Sequence, residues 1–213
     1  QEIEDIIVLK NNKGTEDNRV RKLDYSIQIS KLFYERFIQN GIISLFSPHD
    51  VPGLYDAFGT DSFDSLYVDY ESDKSVPRKT IRAQELILDI LKERAETGRL
   101  YIMNIDHCNS HSSFKDKVSM SNLCQEITLP TDPIQHIDGE GEIALCILSA
   151  INVGKLKNLE EMENLCDLAV RGLEELIDYQ EYPVKAARES TLNRRSLGVG
   201  YIGLAHFLAK QGH

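Results

Sequence analysis

Strand-like and helix-like stretches alternate along the whole of this 213-residue chain, and that alternation restricts its fold more than any other feature. Tyr25, Ile27 and Ile29 are separated by single polar residues, the period-two pattern of a half-buried strand. Lys31 to Ile38 then mixes apolar and charged residues at helical spacing, which completes one strand-to-helix unit. Ile42 to Phe46 is a short apolar run that leaves through Ser47-Pro48 and Pro52-Gly53, so a strand passing into a loop is expected. The Asp- and Ser-rich stretch from Asp61 to Pro77 reads as an exposed excursion, Lys79 to Thr97 as a helix stopped by Gly98, and Leu100 to Ile105 as a further strand. Asn158 with Glu161 three residues on forms a capping box ahead of a helical stripe of Met162, Leu165, Cys166, Ala169, Leu173, Leu176 and Ile177. With no repeat and no low-complexity linker, this succession predicts an α/β layer or barrel with a largely parallel sheet. Catalytic groups in such folds sit at strand ends and on the loops that follow.

Charge narrows the partners. Thirty-four acidic residues against twenty-four basic ones give a net charge of −10, which argues against a broad phosphate-tracking surface and so against nucleic acid, while leaving room for a small anion pocket. No apolar run reaches the roughly eighteen residues of a membrane span, and Gln1-Glu2-Ile3-Glu4-Asp5 lacks the basic-then-apolar order of a leader, so no membrane partner and a cytoplasmic location are expected. Cys108, Cys124, Cys146 and Cys166 are too sparse and irregular for a secreted disulfide framework. The chain opens without methionine and stops just after a helix-like segment, so both ends are expected to be internal to a longer polypeptide.

The stretch Ser119 to Pro130 holds the most chemistry. If its backbone is extended, Asn122, Cys124 and Glu126 share one face, bringing an amide, a thiol and a carboxylate together. Spacing alone favours the plainer reading, a strand whose polar face meets solvent with Cys124 as a small buried residue. Gly198-Val199-Gly200-Tyr201-Ile202-Gly203 fits G-x-G-x-x-G, but it lacks a proper preceding strand and an acidic residue about twenty positions on, so close packing at a strand-to-helix turn is the expected use. Asp106-His107-Cys108-Asn109-Ser110-His111 collects metal-capable side chains without any zinc-module spacing, and a hydrogen-bonded loop is expected there instead. Cys166 belongs to the core stripe of its helix. Arg194-Arg195 and Asn18-Arg19-Val20-Arg21 suit a phosphate or a salt bridge equally well.

The wording of several runs is more specific than their spacing. Asn122-Leu123-Cys124-Gln125-Glu126-Ile127 with Leu129-Pro130-Thr131, and Gly141-Glu142-Ile143-Ala144-Leu145-Cys146 leading to Leu148-Ser149-Ala150-Ile151-Asn152, resemble the active-site region of class I ribonucleotide reductase large subunits. Asn11-Asn12-Lys13-Gly14, Asn18-Arg19-Val20-Arg21, Leu45 to Asp56, Asp106-His107-Cys108-Asn109, Asp178-Tyr179-Gln180 and Arg194-Arg195-Ser196-Leu197-Gly198 also resemble this family in its bacterial and bacteriophage form, so the likeness spans essentially the whole chain.

The resemblance implies that residues 1–213 are the central portion of a ten-stranded α/β barrel, incomplete at both ends, with a finger loop through its centre and Cys124 at the tip. It implies reduction of ribonucleoside diphosphates to deoxyribonucleotides for DNA replication. Cys124 would carry the thiyl radical that removes the 3′ hydrogen, Glu126 would be the base for the 3′ hydroxyl, and Asn122 would hydrogen-bond the substrate beside it. Cys146 would be one of two cysteines that end as a redox-active disulfide, a transient bond that a cytosolic enzyme can sustain. No cofactor or metal is expected on this segment. The radical would come from the metal-containing small subunit and reducing equivalents from thioredoxin or glutaredoxin, while ATP and other nucleotide effectors would regulate the complete, allosteric subunit.

These roles suit the residue types. A thiol S–H is weak enough to exchange a hydrogen atom reversibly with a sugar C–H, a nearby carboxylate can take a hydroxyl proton, and a barrel interior keeps a radical from water. The partner cysteine of Cys146, the phosphate-binding loop, the radical-relay tyrosines, the effector-binding parts and the cysteine tail have no counterpart here, so flanking portions of the large subunit are expected to be needed for activity. The competing expectation is a catalytically silent α/β binding or assembly module, which would have no need of Asn122, Cys124, Glu126 and Cys146 together.

Overall fold

A computed structural model describes residues 2–11, 15–20, 22–137 and 139–213. Gln1, Asn12, Lys13, Gly14 and Arg21, which occur in runs quoted above, lie outside the described residues, as does Asp138. The chain divides into two compact units, residues 1–130 and 131–213.

In the first unit, α1 (Ile3–Ile7) precedes β1 (Ser26–Ile29), α2 (Lys31–Ile38) and β2 (Ile42–Leu45). Then come α3 (Leu54–Ala57), α4 (Phe63–Ser72), β3 (Lys79–Arg82), α5 (Ala83–Thr97), β4 (Tyr101–Asn104) and α6 (Ile105–Ser110). The alternation seen around Tyr25 does make a strand: Ile27 and Ile29 are buried, and β1 runs parallel to β4 from Ser26 opposite Tyr101 to Ile29 opposite Asn104. Leu86, Ile87 and Ile90 of α5 pack on those isoleucines with Ile7 and Leu100. Each such side chain contributes about 1.5–3 kcal/mol by leaving water. Ser30 starts α2 by accepting a hydrogen bond from the Phe33 N–H, and Gly98 ends α5 in the left-handed conformation at φ +66°, as its position predicts.

Three expectations are corrected here. Lys79–Arg82 is a strand rather than the first turn of a helix, paired antiparallel with β2 from Ile42 opposite Arg82 to Leu45 opposite Lys79. The ladder takes up backbone groups that a helical first turn would have left open, and β-branched Thr80 and Ile81 suit extended backbone. The stretch Asp61 to Pro77 contains α4 rather than an open excursion. Phe63, Leu66, Tyr67 and Tyr70 recur at helical spacing and pack with Leu32, Val51 and Leu54. The Tyr67 hydroxyl donates to the Ser44 carbonyl at 2.8 Å and accepts from the Ser44 N–H at 2.7 Å, and burial pushes its pKa up to about 12. Arg78 closes this helix by donating to the carbonyls of Tyr70, Glu71 and Asp73. Thirdly, Asp106 to Ser110 belong to the short helix α6 (Ile105–Ser110) and are not a loop.

The second unit contains β5 (Ile147–Asn152), α7 (Leu159–Tyr179), α8 (Lys185–Arg194), β6 (Leu197–Ile202) and α9 (Leu204–Lys210). β5 and β6 are parallel, from Ile147 opposite Leu197 to Asn152 opposite Ile202, with α7 in the connection that parallel pairing requires. Asn158 accepts from the Glu161 N–H at 2.9 Å, whereas the Glu161 carboxylate reaches back to the Lys157 N–H, one residue before the partner of a standard capping box. Met162, Leu165 and Cys166 pack on Ile151, Val153 and Leu156, and Leu173 and Ile177 are buried. Leu176 departs from the expected stripe, at 47% exposed, and Cys166 is half-buried rather than fully inside.

Among the described residues the strands form three two-stranded sheets, two parallel and one antiparallel, and the barrel is not closed. The α/β class with mainly parallel pairing is as expected. No helix among the described residues is long and apolar enough to cross a membrane.

Candidate functional site

The segment bearing Cys124 is clamped at its root. Asn109 of α6 holds both backbone groups of one residue, donating from Nδ2 to the Val118 carbonyl at 3.0 Å and accepting at Oδ1 from the Val118 N–H at 2.8 Å. Val118 itself is fully buried against Met103 and Ile105. Gln28 of β1 donates to the Ser119 carbonyl at 2.7 Å. Beyond these anchors the chain emerges, with Met120 at 54% exposed and Leu123 at 60%, and it returns to the interior at Pro130.

Between anchor and return the backbone reverses. The Gln125 N–H donates to the Asn122 carbonyl at 3.2 Å, closing a four-residue turn with Cys124 at its third position. Gln125 is left-handed at φ +66°. The Asn122 N–H donates to the Ile127 carbonyl at 3.3 Å, and the Ile127 N–H returns to Asn122 Oδ1 at 3.0 Å. The extended strand expected here is therefore overturned: the left-handed residue breaks the period-two alternation, and the Asn122 side chain satisfies an N–H that a strand neighbour would otherwise have taken. The grouping of residues survives by another route. Asn122 Nδ2 donates to Glu126 Oε1 at 2.7 Å across the mouth of the turn, and Cys124 stands exposed between them in sequence. An exposed cysteine, an amide and a carboxylate able to accept a proton thus share five residues of chain.

Cys146 lies in the second unit, half-buried at the start of β5. A Cβ on Gly198, which faces Leu148 across the β5–β6 pair, would meet Cys146 Sγ at 3.2 Å and Leu148 Cδ2 at 2.5 Å, so the glycine keeps space beside this sulfur. Upstream, Glu142 and Asp132 exchange two backbone hydrogen bonds of 3.1 Å. The Glu142 carboxylate accepts from Arg194 Nε, from Arg194 Nη2 at 2.8 Å and from the Ser190 hydroxyl at 3.1 Å. The Arg194 hydrogen bonds hold that carboxyl below its ordinary range. Arg195 forks onto Asp178 and also meets Glu174. Both arginines of the Arg194-Arg195 run therefore go to carboxylates, as Arg19 does to Glu16.

The other sequence candidates resolve in the same way. Gly198 and Gly200 lie inside β6, and only Gly203, at φ +76°, makes the strand-to-helix turn, with its Cβ position 3.1 Å from the Gly154 nitrogen. The first two glycines are thus in a ladder and not in a phosphate-facing turn. In the Asp106 to His111 run, Asp106 accepts from the Lys31 N–H, Asn109 clamps Val118, and His107 and His111 meet edge to face at 5.9 Å. Cys108 is half-buried, and burial pushes its thiol pKa up. Among the described residues no three His, Cys, Asp or Glu side chains form a metal-holding group.

Sequence reasoning assigned no role to Gln28 or Gln125, placed Asn109 only within an expected loop, and gave Gly198 to a strand-to-helix turn and not to the space beside Cys146. Gln28, the polar residue between two buried isoleucines of β1, offered the one usable signal; the roles of the others depend on chain distant in sequence or on a backbone conformation that glutamine rarely adopts.

Residues 1–213 match the family described as ribonucleotide reductase, barrel domain. The chain is similar to ribonucleoside-diphosphate reductase subunit alpha of Haemophilus influenzae, at 57% identity over 99% of the chain and 29% of that protein. It is 52% identical to ribonucleoside-diphosphate reductase 1 subunit alpha of Escherichia coli over 99% of the chain and 28% of the relative. Against ribonucleoside-diphosphate reductase subunit alpha of Enterobacteria phage T4 the identity is 41%, over 98% of the chain and 28% of the relative. The chain thus spans less than a third of the length of these relatives.

Proposed function

The chain belongs to the ribonucleotide reductase barrel-domain family, and from that premise we propose that it is the reaction-centre segment of a ribonucleoside-diphosphate reductase large subunit. The observation that carries this reading is the turn at Cys124, where an exposed thiol is flanked by an amide and a carboxylate joined at 2.7 Å. A thiyl radical at Cys124, generated by the metal-containing small subunit, takes the 3′ hydrogen atom of the ribose and becomes a thiol. Glu126 accepts the 3′ hydroxyl proton with Asn122 beside it, which eases loss of the 2′ hydroxyl as water. Cys146 and a second cysteine from the flanking chain supply two electrons and two protons and end as a disulfide. Cys124 then returns its hydrogen to C3′. The net change is one C–O bond replaced by C–H, one water released and one disulfide formed. A thioredoxin- or glutaredoxin-type dithiol restores the pair, nucleotide effectors act on the complete subunit, and the reaction runs in the cytoplasm.

The test uses the full-length large subunit with its small subunit. Cys124→Ser should abolish turnover with the fold intact, since a hydroxyl cannot exchange the hydrogen atom. Cys146→Ser should still form the substrate radical but divert the intermediate to loss of the base. Near-normal turnover by a folded Cys124→Ser subunit would sink the assignment.

A further inference from the structure

We infer that Gln125 is a positioning residue for this centre, acting through its backbone: its left-handed conformation folds the turn that sets Cys124 at the apex and Glu126 against Asn122. This rests on the function proposed above. Four observations carry it. Gln125 has φ +66°, although glutamine carries the Cβ that disfavours this region and is not one of the residues that visit it readily. Its N–H makes the turn-closing bond to the Asn122 carbonyl. Its side-chain Oε1 is buried with no hydrogen-bond partner, so no bond to that oxygen compensates the strained backbone. The bonds that hold the strain lie on either side of it, from Asn122 Nδ2 to Glu126 Oε1 and between Asn122 and Ile127 in both directions. Relaxing Gln125 to extended backbone would restore the period-two alternation of a strand and remove the reversal that lets residues 122 and 126 bond across the mouth. Strain kept in place by its neighbours is a recurrent way of preorganising a reacting group, and here the preorganised pair is a thiol and a base.

The experiment compares Gln125→Gly, Gln125→Asn and Gln125→Val in the full-length large subunit assayed with its small subunit, with Cys124→Ser as a control. Glycine and asparagine adopt the left-handed region readily and a β-branched residue resists it. The Val variant should therefore have a kcat at least about tenfold below that of the Gly variant, with KM for the nucleoside diphosphate changed by less than about threefold, and the Asn variant should group with Gly. Thermal unfolding of each variant checks that the subunit is folded. Equal kcat for Val and Gly would overturn the inference, as would an Asn variant that is active beside a Gly variant as slow as Val, because that order follows the amide and not the backbone. An active Cys124→Ser control would instead overturn the function proposed for the site. If that control is dead while Val equals Gly, only the role of Gln125 falls.

Discussion

Glu126 accepts a hydrogen bond from the Asn122 amide at 2.7 Å. A glutamine at this position keeps the size and can still meet Asn122 but cannot take up a hydroxyl proton. Glu126→Gln should therefore lower kcat by about a hundredfold or more with KM nearly unchanged, measured by steady-state turnover of the full-length subunit. A raised KM with kcat intact would make Glu126 a substrate anchor. At this scale the sequence was informative about identity and poor about geometry. The i, i+2, i+4 spacing placed Asn122, Cys124 and Glu126 on one strand face, whereas Asn122 and Glu126 bond across a reversal and Cys124 stands exposed between them in sequence. Nothing in the letter Gln at 125 signals positive φ as a glycine would.

Among the elements, β1, α2, α5 and α7 were legible because each carries its own periodicity, and α5 and α7 carry a stop or start signal as well, in Gly98 and Asn158. Helix α4 was hidden by composition: the eight Asp and Ser residues from Asp61 to Pro77 outnumber Phe63, Leu66, Tyr67 and Tyr70, whose spacing is helical all the same. The strand nature of β3 could not be read locally, because its pairing with β2 decides it. A comparable long-range tie joins α8 to the segment before β5 through Arg194 and Glu142, whose side chains are each 17% exposed. The Glu142 carboxyl is held below its ordinary value of 4.5, chiefly by the Arg194 hydrogen bonds. The folded form therefore binds this proton less readily than the unfolded one. Its stabilisation is complete above the ordinary value and is lost as the pH falls through the lowered one. Glu142→Gln should weaken the local structure by about 1–3 kcal/mol at neutral pH, seen as faster hydrogen exchange at Ile143 to Leu148 in the full-length subunit. The difference between variant and parent should shrink below pH 4.5; a difference independent of pH across that range would show that the carboxylate charge is not the source.

For the whole molecule, the three two-stranded sheets leave strand edges without neighbours among the described residues, and the second unit exposes Leu148 at 60%, Tyr201 at 62%, Leu168 at 66% and Tyr179 at 86%. Open edges and large apolar surfaces both favour association. The isolated 213 residues should self-associate or bind an apolar dye in sedimentation and fluorescence measurements, and they should support no turnover with the small subunit and a dithiol. A monodisperse, cooperatively unfolding monomer would refute the first expectation, and turnover would refute the second. The pairing of β1 with β4 also sets a clock. Ser26 must wait for Tyr101 to be made before its ladder can begin, whereas Leu45 and Lys79 of β2 and β3 lie within that interval. At about 5–20 residues per second, the ribosome takes on the order of 4–15 s to pass from the first strand to its partner. During synthesis both strands of the inner antiparallel pair are therefore made while β1 still lacks β4, so order of synthesis lets β2 and β3 pair first.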